Sequence, residues 1–459
     1  MEEAIRQYLD EMVARARKAQ TEFETYSQEQ VDRAVRAVGK AVYDNAYELS
    51  HLAVDETGMG VYEDKIVKCK EIAKSVWWRL KGKKTRGIIR RIPELGIVEV
   101  AKPIGVVGCV APTTNPIVTI MQNLMCALKC GNAMILSPHP RAQKCSERTV
   151  NIINKALARE GMPENLLQMI APPTKELSAG LMTVVDLCIC TGGPSLVRAA
   201  YSSGKPAIGV GQGNVQVLVD RDVDFDKAAG MIIAGRTFDN GILCTCEQNV
   251  ICPEDKADEM IRALERNGAY FVRDEEEVDR IRDVAFPGGG PISKDIPGAS
   301  IPKIVAMAGL KGVPAGTRVL VCPTKGIGRE DVLAKEKLFP VLAFFTYHDW
   351  EDAIRIAKTN LEMEGIGHSI VIHSHNEGHI EEAAKYIHVS RYMVNQIGAT
   401  NLGGSLENGL NPTATLGCGT WGNNSISENL TYYHLMNLTR ISYPVPDLYI
   451  PTDEEVWGK

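Results

Sequence analysis

Between Ile104 and Val219 the sequence changes character in strict rotation. Short β-branched runs (GVVGCVAP, NAMILSP, LLQMIAP, VVDLCICTGG) alternate with amphipathic stretches whose spacing predicts helices over 117–129, 142–160, 174–182 and 195–203. Strands that each wait for a helix before the next can pair predict a parallel, doubly wound sheet with helices on both faces. Such sheets hold nucleotides outside the carboxyl ends of their strands, although a fold alone does not settle an activity.

The same rhythm returns between 224 and 401. Helices are predicted over 225–237, 255–267 and 349–359, with strands near 248–252, 319–322 and 369–373, which reads as a second domain. Residues 1–80 are helical in pattern, with Val31, Val35, Val38 and Val42 forming one apolar stripe. From Arg86 the chain reads GIIRRIPELGIVEVAKPIGVVGCVAP, and Pro93 to Gly96 breaks it into a hairpin followed by a further strand. A hairpin this exposed is expected to pair with something. The stretch 403–424 is rich in Gly, Asn, Thr and Ser, and a long irregular loop in a compact protein is usually functional.

The formal charge of -6 and a pI near 5.9 leave no basic field for a nucleic-acid backbone or an anionic membrane surface. A small-molecule partner is therefore expected. MEEAIRQYLDEMVARARKAQ has neither a signal-peptide core nor a membrane span, so an intracellular location is expected. Twelve cysteines spread among apolar residues then read as buried thiols, with one or two reactive.

Four motifs carry candidate chemistry. Gly209-Val-Gly-Gln-Gly-Asn214 looks like a dinucleotide fingerprint, but VQVLVD follows where a helix is needed, so it reads as a corner between elements. Thr191-Gly192-Gly193-Pro194 ends a buried strand and opens a helix, where free N–H groups attract anions; a plain turn is the other reading. His373, His375 and His379 lack matching carboxylates or thiols and read as a solvated helix start, with no metal. FDNGILCTCEQ (238–248) places Cys244 and Cys246 too close for a zinc clip. The two sulfurs should face different ways, and Gly241 permits a turn that exposes Cys244 where local dipoles favour a thiolate. Nucleophile and core thiol both stay open on the residues alone.

Those residues, with KPIGVVGCVAPTTNP, CGNAMILSPHP, the GVGQGN corner and EKLFPV (336–341), resemble the aldehyde dehydrogenase superfamily across nearly the whole chain. The specific resemblance is to its coenzyme A-acylating branch, the propanal and acetaldehyde dehydrogenases of bacterial microcompartments, and to the aldehyde half of bifunctional aldehyde-alcohol dehydrogenases. It implies an α/β fold of two doubly wound parallel-sheet αβα domains plus a small β oligomerisation hairpin and tail. Residues 1–85 and 103–213 then form a cofactor-binding domain, 214–428 a catalytic domain, and 86–102 with 429–459 the oligomerisation segments of a homodimer or homotetramer.

By the same resemblance Cys244 is the nucleophile, Cys246 packs beside it, and the Asn115 amide with the Cys244 N–H holds the oxyanion. NAD lies along Pro112, Thr113, Ser137, His139, Pro140, Thr191, Gly192, Gly193, Gly209 and Val210, with Glu336 at the nicotinamide ribose. Hydrolytic members resemble one another in a Glu-Leu-Gly-Gly segment whose glutamate activates water. Here Gly209-Val210-Gly211-Gln212 has no acid, which fits release to coenzyme A. Three departures accompany this. Ser137-Pro138-His139-Pro140 replaces a lysine that binds the adenosine ribose, leaving NAD over NADP a lean only. Phe339 replaces a usual glycine and is expected to reshape the nicotinamide pocket. His368 resembles a histidine of this branch and is a candidate proton shuttle, a buried hydrogen-bonded histidine being the other reading.

The implied reaction is reversible, NAD-dependent oxidation of acetaldehyde, propanal or butanal to the acyl-CoA. A hydrolytic dehydrogenase and a catalytically silent microcompartment binding protein are the alternatives. The implied setting is the cytoplasm or a microcompartment, with a shell or an alcohol dehydrogenase as protein partner. The first 20 residues read as the fold's own first helix, with no separate tag and linker.

Overall fold

Ser27 stops the chain ahead of an apolar stripe. Its hydroxyl accepts from the Gln30 N–H while the Gln30 side chain accepts from the Ser27 N–H, and the helix Gln28–Asp44 follows. Val31, Val35, Val38 and Val42 on that helix are fully buried, against a core that includes the helix Val118–Lys129. The computed structural model describes residues 2–446 and 448–458; residue 1 of the expected cofactor-binding domain and residues 447 and 459 of the expected oligomerisation tail lie outside the described residues.

The exposed hairpin is β1 (Gly87–Ile92) and β2 (Ile97–Pro103), antiparallel across the turn at Pro93–Leu95. The next strand leaves it and opens a separate parallel sheet of β3 (Val106–Val110), β4 (Ala133–Ser137), β5 (Leu167–Met169), β6 (Leu187–Thr191) and β7 (Ala207–Val210). Their order is β5-β4-β3-β6-β7, so the chain runs out to one side from β3 and returns to its other side. The loops after β3 and β6 therefore leave the sheet at the point where the winding reverses, where an α/β sheet has a crevice.

A second parallel sheet takes β8 (Val215–Val219), β9 (Glu247–Pro253), β10 (Ala269–Phe271), β11 (Val319–Pro323), β12 (Val341–Tyr347), β13 (Ile370–His373) and β14 (Tyr392–Val394), in the order β10-β11-β12-β9-β8-β13-β14. Its β9 and β12 are buried along nearly their whole length, as strands covered on both faces must be. Between β8 and β9 runs the helix Phe225–Thr237, started by Asp224, whose carboxylate accepts from the N–H groups of Asp226 and Lys227. The last strand, β15 (Met436–Ser442), returns to pair antiparallel with β2 over seven residues, so the hairpin does find a partner within the chain. The predicted helix at 255–267 starts as a 3-10 turn and is α-helical over Ala257–Arg266, and that at 349–359 runs on to Met363. Among the described residues no helix is long and apolar enough to cross a membrane.

Candidate active site

The helix Phe225–Thr237 ends in a reversal that few residue types can make. Asp239, Asn240 and Gly241 are left-handed in succession, at φ 53°, 53° and 69°, before the chain straightens into β9. Asn, Asp and Gly tolerate that region best, which is the local reason for the sequence Asp-Asn-Gly. Cys244 lies between this reversal and β9. It is half-buried, whereas the other eleven cysteines are fully buried, and all twelve are free thiols. Cys246 points into the core, its thiol against the Phe238 carbonyl at 3.8 Å. The two sulfurs thus part company in a turn, not a helix.

One expectation fails at Cys244. The residue follows the C-terminal end of a helix and precedes a strand, so it does not itself open a helix. Burial, reinforced by the Glu336 carboxyl and the Cys418 thiol and opposed by Arg391, holds the resting thiol well above the ordinary range. The group rests as a thiol, and its proton has to leave as it attacks.

Cys244 and Asn115 line one cavity of about 430 Å³. Lys68, Phe238, Thr245, Thr400 and Ser405 share its wall, and part of the Gly/Asn-rich loop closes it. Asn115 comes from the loop after β3, at the winding reversal. Its Oδ1 accepts from Lys68 Nζ at 2.7 Å, and among the described residues nothing in the chain takes its Nδ2. Among the same described residues the Cys244 N–H has no partner either. Two donors and a sulfur on one cavity are what stabilisation of a thiohemiacetal oxyanion requires.

The GVGQGN corner supports the nucleophile from behind. A Cβ on Gly213 would overlap the Cys244 carbonyl, so only glycine lets the two backbones meet. Gly213 N–H also donates to Glu336 Oε1 at 3.1 Å, which brings Glu336 beside the site although 123 residues separate them in the chain. Burial, with Glu364 adding to it, pushes the Glu336 carboxyl up to about 8. His368 lies further back and does not line the cavity. Its Nδ1 pairs with the Ser369 hydroxyl at 2.8 Å and its Nε2 is buried without a partner. Burial, and then Arg391, hold it neutral.

The remaining candidates fall on the strand ends. Pro112 and Thr113 are half-buried on the loop after β3. Ser137 ends β4, buried, its hydroxyl on Ser178 at 2.8 Å. His139 is half-buried, with Nδ1 accepting from the Arg141 N–H, and Pro140 is exposed. Thr191 ends β6 with a buried, unpartnered hydroxyl, and Gly192 and Gly193 lead into the helix Pro194–Tyr201. Gly209 and Val210 end β7, with Gly209 N–H donating to the Tyr201 hydroxyl at 2.9 Å. Phe339 does not face this crevice: it is fully buried in the core of the second sheet with Leu333 and Val341, and its carbonyl accepts from Arg236. It cannot reshape a pocket it does not touch. In the histidine cluster, His379 pairs with Asp220 at 2.7 Å and stacks on Trp350. Lys65 and Lys68, unremarked in the sequence, both donate to the Asp239 carboxylate at the site.

Glu336 yields a prediction on stability. Its folded pKa of about 8 exceeds the ordinary 4.5, so between those values the folded state holds a proton that the unfolded chain has lost. Stability from this group therefore falls as pH rises from 4.5 to about 8, and Glu336→Gln removes the penalty. The melting temperature of Glu336→Gln is expected to gain on the parent steadily across that window; a constant difference from pH 5 to 8 would contradict it.

Comparison with known proteins bears on the same residues. A sequence profile of the aldehyde dehydrogenase family matches residues 1–276. The chain is 50% identical over 450 residues to the succinate-semialdehyde dehydrogenase (acetylating) of Clostridium kluyveri, covering 98% of this chain and 99% of that protein. It superposes on the crystal structure of an acetylating aldehyde dehydrogenase from Geobacillus thermoglucosidasius with a TM-score of 0.93 at 36% identity, covering 98% and 99%. A propionaldehyde dehydrogenase from Rhodopseudomonas palustris, solved with bound CoA and an acylated cysteine, follows at a TM-score of 0.84 and 29% identity, covering 95% and 97%. With the fold, the cavity and the cavity-lining cysteine in agreement, the chain belongs to the aldehyde dehydrogenase family, in its acylating branch.

Proposed function

We propose that the protein converts a short aldehyde to its coenzyme A thioester with NAD, reversibly, through a thioester on Cys244. The Cys244 sulfur adds to the aldehyde carbon, and the oxygen gathers charge against the Asn115 Nδ2 and the Cys244 N–H. The sulfur's proton leaves to solvent in the cavity, since His368 lies behind the wall and is held neutral. The hydride would pass to NAD held in the crevice. The thiol of coenzyme A then takes the acyl group from Cys244, and the cysteine thiol is restored.

The crevice suits a dinucleotide. The Thr191 hydroxyl is buried with no partner, and Gly192 and Gly193 beside it have no side chain to block a close approach to the start of the helix Pro194–Tyr201. Thr191 to Gly193 would hold the pyrophosphate and Glu336 the ribose of the nicotinamide. On this reading 1–85 and 103–213 serve the cofactor and 214–428 the chemistry, while the β2–β15 sheet serves a dimer or tetramer.

Release to a thiol is the step that one observation carries: residues 209–212 beside Cys244 hold no carboxylate. The neighbouring Glu336 is largely protonated at neutral pH and committed to the Gly213 N–H, a poor base for water. A thiol acceptor, with a pKa near about 8.5, needs less help. The test is NADH formation from propanal with and without coenzyme A. Dependence on coenzyme A is expected, and sustained turnover without it would overturn the proposal in favour of hydrolysis.

For the aldehyde, the first reading is a plain aliphatic chain of two to four carbons, the class that the family resemblance implies. A second reading, a four-carbon aldehyde ending in a carboxylate, is favoured by the name of the Clostridium kluyveri relative and by the hydroxyl-bearing Thr400 and Ser405 on the cavity wall. In the same assay succinate semialdehyde is then expected to exceed butanal by at least about 10-fold in kcat/KM, since a site built for a polar group discriminates against its absence. Equal values would return the choice to plain aliphatic aldehydes.

A further inference from the structure

Lys65 and Lys68 stand three residues apart on the helix Tyr62–Leu80, and both ammonium groups reach the same carboxylate. Lys65 Nζ is 2.9 Å and Lys68 Nζ 2.7 Å from Asp239 Oδ2, while the Val61 N–H donates to Oδ1 at 2.8 Å. The three side chains are 4%, 6% and 0% exposed. Asp239 is the first residue of the left-handed reversal that leads to Cys244. Its carboxylate is also tightly cradled, for a Cβ on Gly60 would overlap Oδ1.

One ammonium is enough to pair one carboxylate, and lysines are rarely this buried without a specific partner. The second ammonium has another task within reach: Lys68 Nζ also lies 2.7 Å from Asn115 Oδ1. An ammonium group has donors only. The end of the amide that faces Lys68 must therefore be the oxygen, and the end that remains is Nδ2.

We propose that Lys68 is a positioning residue for the reaction: it clamps Oδ1 of Asn115 so that the N–H end of the amide meets the aldehyde oxygen, and its charge polarises that amide. This rests on the reading of Asn115 as oxyanion donor. Asp239 completes the arrangement, because the carboxylate that holds Lys68 belongs to the turn that carries Cys244. Nucleophile and oxyanion donor are thereby referenced to one buried ion cluster, although they come from different sheets.

The test is a double-variant cycle in the full chain with NAD, coenzyme A and aldehyde, reading kcat, KM and the rate of Cys244 alkylation by iodoacetamide. Alkylation is a displacement with no oxyanion, so it reports whether the thiol keeps its surroundings. Lys68→Met leaves Lys65 to pair Asp239. It is expected to lower kcat by about 10- to 100-fold, as a misplaced catalytic contact does, with KM within about threefold and alkylation unchanged. Adding Lys68→Met to Asn115→Ala should cost little more, and Lys68→Arg, which keeps donors and charge, should recover most of the loss. Equal losses in both Asn115 backgrounds, or no recovery in Lys68→Arg, overturn the inference. A deficient Asn115→Ala beside a fully active Lys68→Met overturns the inference alone. A fully active Asn115→Ala overturns the oxyanion reading and this one with it.

Discussion

Cys244→Ala is expected to remove aldehyde-dependent NADH formation by at least about 10⁴-fold, while Cys246→Ala keeps most of it. The two positions differ by two residues and by everything around them. Cys244 opens onto the cavity with Asn115, and Cys246 is sealed in the core against the Phe238 carbonyl. Without a nucleophile the aldehyde carbon stays trigonal and has no reason to give up hydride, so no other thiol in the chain substitutes. Removing Cys246 leaves a small void and costs stability first. Intact-mass spectra during turnover give the direct check: an acyl adduct on the peptide bearing Cys244 is expected in the parent and none in Cys244→Ala. The reverse assignment, with activity lost at 246 and kept at 244, would place the nucleophile two residues on.

Asn115→Ala is expected to lower kcat by about 10²- to 10³-fold, the range for loss of one oxyanion donor. KM should move little, because the oxygen of the bound aldehyde carries full charge only after the sulfur has added. Asn115→Asp sharpens the test. Its carboxylate keeps the size and can still accept from Lys68, yet presents no N–H to the substrate. A comparable loss in both variants is the expected result, and an active Asn115→Asp would show that the amide N–H is not what the reaction uses.

How much of this was legible beforehand differs between fold and site. Parallel strands covered on both faces must be unbroken apolar runs, so the elements from β3 to β6 stand out, and the helix Phe225–Thr237 matches its predicted span, whereas the glycines that made 209–214 read as a corner hid the four-residue β7. The edge strand β10, three residues long and only half-buried, has no apolar run to mark it, whereas the equally short β5 lies within LLQMIAP. At the site, the motif around Cys244 named the nucleophile candidate and the separation of the two thiols. What it could not give was electrostatics. The elevated Cys244 thiol comes from burial, Glu336 and Cys418, groups far off in sequence that only the folded chain gathers. Likewise Lys65 pairs with a residue 174 positions away, and a lysine on a helix reads in isolation as solvent-facing. Phe339 erred for a related reason: its motif neighbour Glu336 faces the corner, while three residues on the chain has turned into the core.

The pairing of β15 with β2 has a bearing on biosynthesis. Residues 97–103 leave the ribosome more than three hundred residues ahead of 436–442, which complete their ladder. Throughout that interval the growing polypeptide displays an open row of amide and carbonyl groups on β2, the kind of template onto which another nascent copy can add. The charged residues on that hairpin, Arg90, Arg91, Glu94, Glu99 and Lys102, give it a means of deterring such premature association until its own last strand arrives.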